Sequence, residues 1–498
     1  MLDQSFSFHN FNKIFISENK KGNIDRRYIN QAYLQKHKDF KRILDDKKSR
    51  QKLHKLSKDE FDDFATQLDQ INKEKEIIRL EEFKKLADQV NAKDFHFNVK
   101  YHEDNEIFTV DNSDAASFYA IKQLQYNIRK TFKVKQSSRN DIIRQVFNLL
   151  SDGFPKVVIR TDIRHFYESI PQDKLFKKID SNVLLSPHSK KLIRKLFYEF
   201  EDKKDKGKIN YSIGIPRGIG ISAYLSELFM RDIDNRLKDL NDLTYYARYV
   251  DDIIMVFTPK TLSSKEDYLV KVREIITDNN LELSEGQDGN ESKTKSYNLI
   301  ENNTLLEPLT FLGYKFFSQE KVSKDKCGNK ITSAFIRIEL SDSKMSKYKK
   351  RLTKSVEAYN NTSKFCEKDA RKLLFERLKF LTGNFHLNHN KKSIKSGVYY
   401  SNSLLLLNKN NDCIESLKKL NFEMRLAIRQ INPPNGIKKG YLIKHIINNF
   451  DFEKGFFKKD KYFYSFKLTS SEERYYQLKY GDRRISKFDI IKSIWKDE

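Results

Sequence analysis

The spacing of apolar residues divides the chain into three stretches. From residue 1 to about 100, Lys, Glu, Asp and Gln dominate, and apolar positions such as Phe83, Leu86 and Val90 recur at helical intervals. From about 110 to 340 the apolar residues gather into short runs, PKVVIR, ARYVDDIIMVF and PLTFLGYKFF, which read as strands separated by helical patterns and loops. Beyond 341 a helical, basic pattern returns in MSKYKKRLTKSVEAY and KDARKLLFERLKFLTG, with Gly383 as a helix stop. The expected architecture is α+β: a helical N-terminal region over 1–110, a mixed unit over 111–340 and an all-helical domain over 341–498. The sharpest break in the last part is NPPNGIKKG at 432–440. The Phe-, Tyr- and Lys-rich segment after it has no clear assignment.

Charge changes the picture more than composition does. Lys and Arg number 95 against 69 Asp and Glu, a formal net charge of +26 spread along the 498 residues. Such an excess points to a long polyanion, nucleic acid or an anionic membrane, as partner. No apolar run approaches 18 residues, and the start, MLDQSFSFHNFNK, is polar throughout, so a soluble, unprocessed chain is expected. Cys327, Cys366 and Cys413 match neither a zinc-ligand spacing nor a disulfide framework, which suits a reducing cytoplasm.

Three Asp-Asp pairs occur. Asp45-Asp46 and Asp62-Asp63 lie in polar helical segments and read as solvated faces. Asp251-Asp252 differs, because Tyr245, Tyr246 and Val250 precede it and Ile253, Ile254, Met255, Val256 and Phe257 follow it. Apolar flanks of this kind predict a tight hairpin with both acids at its tip. Two like charges held there are unfavourable unless a cation neutralises them. Upstream, an apolar strand runs into Asp162 before the chain turns into a helix. Carboxylates from two strand ends are what two-metal nucleotidyl transfer requires, with Mg²⁺ the default ion for hard oxygen ligands and Mn²⁺ a substitute. An Asp-rich turn and an ordinary strand-end aspartate are the plain alternatives.

Taken together, the motifs acquire a specific likeness. Tyr249-Val250-Asp251-Asp252 resembles the Tyr-x-Asp-Asp motif of reverse transcriptases, and Asp162-Ile163-Arg164-His165-Phe166-Tyr167 resembles their first catalytic motif. Between them Gly214-Ile215-Pro216-Arg217-Gly218-Ile219-Gly220-Ile221-Ser222 and the helical AYLSELFMRDIDNRL resemble the loop and helix that hold template and nucleotide. Lys293-Thr294-Lys295 and Phe311-Leu312-Gly313-Tyr314 resemble the later lysine-bearing and primer-gripping motifs. The likeness spans roughly 110–340 and is closest to the prokaryotic abortive-infection and defence-associated reverse transcriptases. Two features depart from the usual pattern. Arg217 stands where many relatives have Gln, and SEGQDGNES reads as an insertion before the lysine motif, leaving Lys293 or Lys295 as the functional lysine.

The resemblance implies fingers and an antiparallel palm sheet, a helical C-terminal domain, and RNA-directed DNA synthesis. It assigns catalysis to Asp162, Asp251 and Asp252, and metal binding to these with Ile163. Nucleotide binding falls to Tyr167, Arg129, Arg139, Arg217, Gly218 and Lys293, and primer or template contact to Tyr249, Phe311, Leu312, Gly313 and Tyr314. Tyr167 is the expected wall against a ribose 2′-hydroxyl, with Phe166 a core aromatic beside it. The implied partners are an RNA template, in some members a dedicated noncoding RNA, a DNA product, deoxynucleoside triphosphates and further copies of the chain. The implied role is defence against phage; some members start DNA on a protein tyrosine. Group II intron, retron and RNA-dependent RNA polymerases share the chemistry, and a basic RNA-binding scaffold is the non-enzymatic alternative. The glycine loop lacks a P-loop ending and could be a plain helix entry with Ser222 as N-cap. No site is assigned to His165, His386 or His389, the last two being expected on a helix surface.

Overall fold

A computed structural model describes residues 2–19, 29–53, 56–111, 114–204, 213–261, 267–286, 292–301, 304–324, 330–387, 394–408, 414–480 and 485–495. Cys327, Cys413, His389 and part of the SEGQDGNES segment lie outside them. Contacts divide the chain into two compact units, Met1–Ser137 with Ile159–Ser296, and Ser138–Val158 with Tyr297–Glu498.

The first unit opens with the helices Phe8–Asn19, Gln31–Leu53 and Lys58–Asn91. Ser57 and Glu60 form a reciprocal capping box that starts the third of these. Its Phe83, Leu86 and Val90 are buried, the face their spacing predicts. Phe83 and Phe11 pack on Tyr119 at 5.1 and 5.4 Å between ring centroids. Asp45, Asp46, Asp62 and Asp63 are exposed on these helices. A hairpin of β1 (Val99–His102) and β2 (Ile107–Val110) follows.

The central sheet joins β3 (Val157–Asp162), β4 (Leu243–Tyr249), β5 (Asp252–Phe257) and β6 (Lys295–Asn298) in the order β4-β5-β3-β6. The unit boundaries fall within β3 and β6. β4 and β5 are antiparallel, with Tyr249 opposite Asp252. Ile253 to Phe257 are all buried, as the unbroken apolar run requires of an inner strand. The helix Ser222–Lys238 buries Leu225, Leu228, Phe229 and Ile233 along one side.

In the second unit β7 (Leu309–Phe311), β8 (Tyr314–Lys324) and β9 (Lys330–Leu340) form an antiparallel meander. Helices follow at Asp342–Thr362, Glu367–Thr382, Glu415–Arg429 and Lys439–Asn449, with Gly383 capping the second and 430–438 separating the last two. Gly383 ends its helix in an extended rather than left-handed conformation, φ −115°. The region after 341 is nevertheless not purely helical. β10 (Asn384–His386), β11 (Lys395–Gly397) and β12 (Phe463–Tyr464) form a small sheet in the order β11-β10-β12. Strands of two or three residues are too short to show a period-2 pattern. His386 accordingly lies on β10, its ring 4.7 Å from that of Phe463, and not on a helix. The unassigned aromatic segment supplies core: Phe385 packs on Phe466 and Phe488 at 5.4 Å each, and Phe380 lies 5.7 Å from Trp495.

Candidate active site

β3 delivers Asp162 at its last position and the β4–β5 turn delivers Asp251, with Asp252 opening β5. Backbone hydrogen bonds join these segments. Ile163 N–H donates to the Asp251 carbonyl at 3.2 Å, and the Asp162 carbonyl accepts from Ser284 N–H at 2.7 Å. One carboxylate oxygen from each aspartate lies within 4.8 Å of the others. Asp162 is 5% exposed and its two partners are half-buried. Burial, followed by repulsion from Asp162, raises the Asp251 pKa. Burial and the two neighbouring aspartates push Asp252 up to about 6, against the pull of Arg160 and Lys293. Three hard oxygen donors this close together, two of them with raised pKa values, fit a divalent cation, which removes the repulsion.

Two cations flank the cluster. Lys293 Nζ lies 2.9 Å from Asp162 Oδ2, so the structure brings Lys293 to the acids while Lys295 opens β6. Arg160 Nη2 lies 3.6 Å from Asp252 Oδ1, and its Nη1 donates to the Lys293 carbonyl at 2.7 Å. Arg160 was missed in the sequence. The available signal was its place two residues before Asp162, which puts both side chains on one face of a strand.

The turn is anchored by a second residue that the motif did not single out. Arg248 is 6% exposed, and its guanidinium donates to Glu227, Asp234 and the Val250 carbonyl.

The expected nucleotide residues fare differently. Tyr167 is partly buried, hydrogen bonds with Ser226 and lies in the fields of Asp251 and Glu227; burial raises its pKa. Phe166 is buried at 3% exposure, the core role expected, and His165 is exposed. Gly218 has φ +99°, and a Cβ there would meet Ile107 Cγ2 at 2.2 Å and the Phe108 carbonyl at 2.6 Å, so no larger residue fits. Arg217 accepts the β2 backbone through its carbonyl, from Phe108 N–H at 2.7 Å, and its guanidinium lies 3.6 Å from Glu168. Ser222 is the first residue of its helix, Ile221 being the cap, and its Oγ donates back to the Pro216 carbonyl at 2.7 Å. Arg129 is exposed in the last turn of the helix Ala115–Thr131.

Tyr249 ends β4 beside the acids. Arg139 and Phe311 to Tyr314 belong to the second unit. Phe311 and Tyr314 are buried, Leu312 and Gly313 form the β7–β8 turn with φ +45° and +75°, and Arg139 Nε donates to the Leu312 carbonyl at 3.1 Å. Arg139 thus holds this turn within the second unit.

Residues 110–316 match the family model described as reverse transcriptase (RNA-dependent DNA polymerase). Among solved structures, telomerase from Candida albicans in complex with a TWJ fragment of telomeric RNA is similar over 68% of this chain and 56% of its own, at 11% identity and a TM-score of 0.30. Apo telomerase from Candida tropicalis, truncated from its C-terminal domain, is similar over 41% and 46%, at 17% identity and a TM-score of 0.26. The chain therefore spans about half the length of these two structures. No curated protein matches it. Residues 110–316 of this α+β chain form a reverse-transcriptase domain.

Proposed function

We propose that the chain is an RNA-directed DNA polymerase that works by two-metal nucleotidyl transfer. The observation that carries this reading is the convergence of Asp162, Asp251 and Asp252 within 4.8 Å inside the stretch that matches reverse transcriptases. Two divalent ions held by these carboxylates, magnesium by default, would lower the pKa of the attacking hydroxyl and stabilise the leaving oxygen. Lys293, beside Asp162, is placed to meet the charge of an incoming triphosphate. Arg217 and Gly218 bear on the same nucleotide, and the exposed Arg129 is a further phosphate ligand. Tyr249 and the Phe311–Tyr314 turn are assigned to primer and template. The three-part division at 110 and 340 into helical region, fingers with palm, and thumb-like domain belongs to the same reading.

Tyr167 decides which sugar is used. Its half-buried ring beside Asp251 is suited to collide with a 2′-hydroxyl, which favours deoxynucleotides. Single-nucleotide incorporation with matched deoxy- and ribonucleotides tests this. The wild type should prefer deoxynucleotides, and Tyr167→Ala should raise ribonucleotide use with the carboxylates intact. A wild type that prefers ribonucleotides would make the protein an RNA polymerase instead.

The likeness of RKTFKVKQSSRNDIIRQ, RTDIRHFYESI and GIPRGIGISAYLSE to the abortive-infection enzymes supports a role in stopping phage, acting in the cytoplasm as an oligomer with an RNA. Of the two polyanionic partners, the match of residues 110–316 to reverse transcriptases favours nucleic acid; among the described residues no helix is long and apolar enough to cross a membrane. Sequencing the RNA that copurifies with the chain, and any DNA that stays attached to it after denaturation, distinguishes a templating RNA from a tyrosine primer. Protection from phage by the wild type and equally by Asp251→Asn would separate defence from polymerisation.

A further inference from the structure

The acid-bearing turn adopts a backbone that its own sequence disfavours. Val250 has φ +62°, while Asp251 has no positive φ. This sign pattern is that of a type II′ turn, whose first central residue is usually glycine. A β-branched residue in the left-handed region is an outlier and persists only where surrounding structure over-determines it.

Arg248 provides that determination. Its Nη1 donates to the Val250 carbonyl at 2.8 Å, locking the peptide that leads into Asp251. The remaining N–H groups are all engaged by carboxylates. Nε and Nη2 reach Asp234 at 2.8 Å each, and Nη1 and Nη2 reach Glu227 at 3.1 and 2.8 Å. A guanidinium has five N–H donors in a fixed plane, so these five bonds leave it no freedom to turn. The two acids are seven residues apart on the helix Ser222–Lys238, two turns that place them on one face. Tyr246 on β4 also holds Asp234, donating its hydroxyl to it at 2.6 Å. A buried ion pair that served packing alone would have no need of the turn carbonyl.

We propose that Arg248, clamped between Glu227 and Asp234, is a positioning residue that holds Val250 in its left-handed conformation and thereby sets the placement of Asp251 and Asp252 for the metal ions. The proposal rests on reading the three aspartates as a metal site.

Mn²⁺ binding to the purified full chain, followed by the resonance of the free ion, tests it without requiring turnover. The set comprises the wild type, Asp251→Asn, Arg248→Lys and the neutral triple variant Arg248→Met/Glu227→Gln/Asp234→Asn, which leaves no unpaired buried charge should Arg248→Lys fail to fold. The last two are also made with Val250→Gly. Melting curves restrict the comparison to folded protein. Loss of an outer-shell partner commonly weakens metal binding about 10- to 100-fold. At least a tenfold loss is expected in both clamp variants, with most of it recovered by Val250→Gly, because glycine takes a positive φ without strain. Unchanged Mn²⁺ affinity in folded clamp variants overturns the proposal, and so does a loss that Val250→Gly fails to restore. Equal binding by the wild type and Asp251→Asn would instead remove the metal site itself, and the clamp with it.

Discussion

Each unit of the molecule holds a cluster of carboxylates, and the two behave in opposite ways. In the first, Asp162, Asp251 and Asp252 crowd together with Lys293 and Arg160 only at their edges, and burial with mutual repulsion raises the pKa of Asp251 and Asp252. In the second, Lys487, 5% exposed, sits between Glu376 and Glu472 at 2.9 and 2.8 Å, and Lys372 meets Glu472 at 3.0 Å. Burial opposes ionisation of Glu472 too, yet hydrogen bonds from Lys487, the Thr469 backbone and Lys372 hold it down at about 2. The second cluster carries its own cations and is complete. The first is short of positive charge, a deficit that suits the proposed metal site.

The largest expected effect follows from that deficit. Asp251→Asn should reduce nucleotide incorporation to background, because a metal-bearing charge is gone. The same change should not lower the melting temperature of metal-free protein, since it relieves repulsion. Glu472→Gln should do the reverse, melting earlier while incorporating nucleotide at the wild-type rate per folded molecule. Paired incorporation and melting measurements on the two variants check both arms.

A smaller effect comes from converting the second cluster into the first kind. Lys487→Met removes the cation that Glu376 and Glu472 share, leaving Lys372 and the Thr469 N–H on Glu472. Breaking a fully buried pair typically costs 3–5 kcal/mol, and the partial exposure of both glutamates reduces this to about 1–3 kcal/mol. The Glu472 pKa should climb from about 2 toward the ordinary carboxylate range, with Lys372 and the Thr469 N–H still donating to it. Chemical denaturation and carboxylate titration by NMR would show both changes; a Glu472 that stays low without Lys487 would break the comparison.

How much of this could be read in the chain depends on whether the signal was local. The hairpin with acids at its tip was legible because apolar runs flank Asp251-Asp252, and Asp162 because PKVVIR leads straight into it. Gly218 was legible as part of a motif, but the reason for it, the approach of Ile107, lies over a hundred residues away. Glu227 and Asp234 lie unmarked within the helical AYLSELFMRDIDNRL, and only the fold turns them toward Arg248. Arg139 reads as one basic residue among many, and its engagement with Leu312 is likewise non-local. The two compact units each combine distant segments, a division that no shift in composition marks.

The smallest expected effect is a pair of opposite pH slopes in the absence of divalent ions. The folded-state pKa of Asp252 lies near 6, above its ordinary 3.8, so the folded chain binds this proton more tightly than the unfolded one. Stability from this group is therefore present at low pH and is lost as pH rises from about 4 to about 6. Glu472 has the other sign: its folded-state pKa near 2 lies below the ordinary 4.5, so its contribution is present above 4.5 and is lost as pH falls toward 2. Asp252 is partly solvated, which screens its contribution and limits the shift to a few degrees of melting temperature at most, roughly the scale of 1 kcal/mol in a chain of this size. Asp252→Asn should flatten the slope between pH 4 and 6 and leave the acid limb below 4.5 untouched, while Glu472→Gln should flatten only the acid limb. Saturating Mg²⁺ should abolish the Asp252 slope by stabilising the ionised carboxylates, raising the melting temperature more at pH 7 than at pH 5, and should do so in the wild type but not in Asp162→Asn. Melting curves across this range, with and without the ion, provide the measurement. A Mg²⁺ effect equal at both pH values, or retained in Asp162→Asn, would mean that the ion acts elsewhere on the chain.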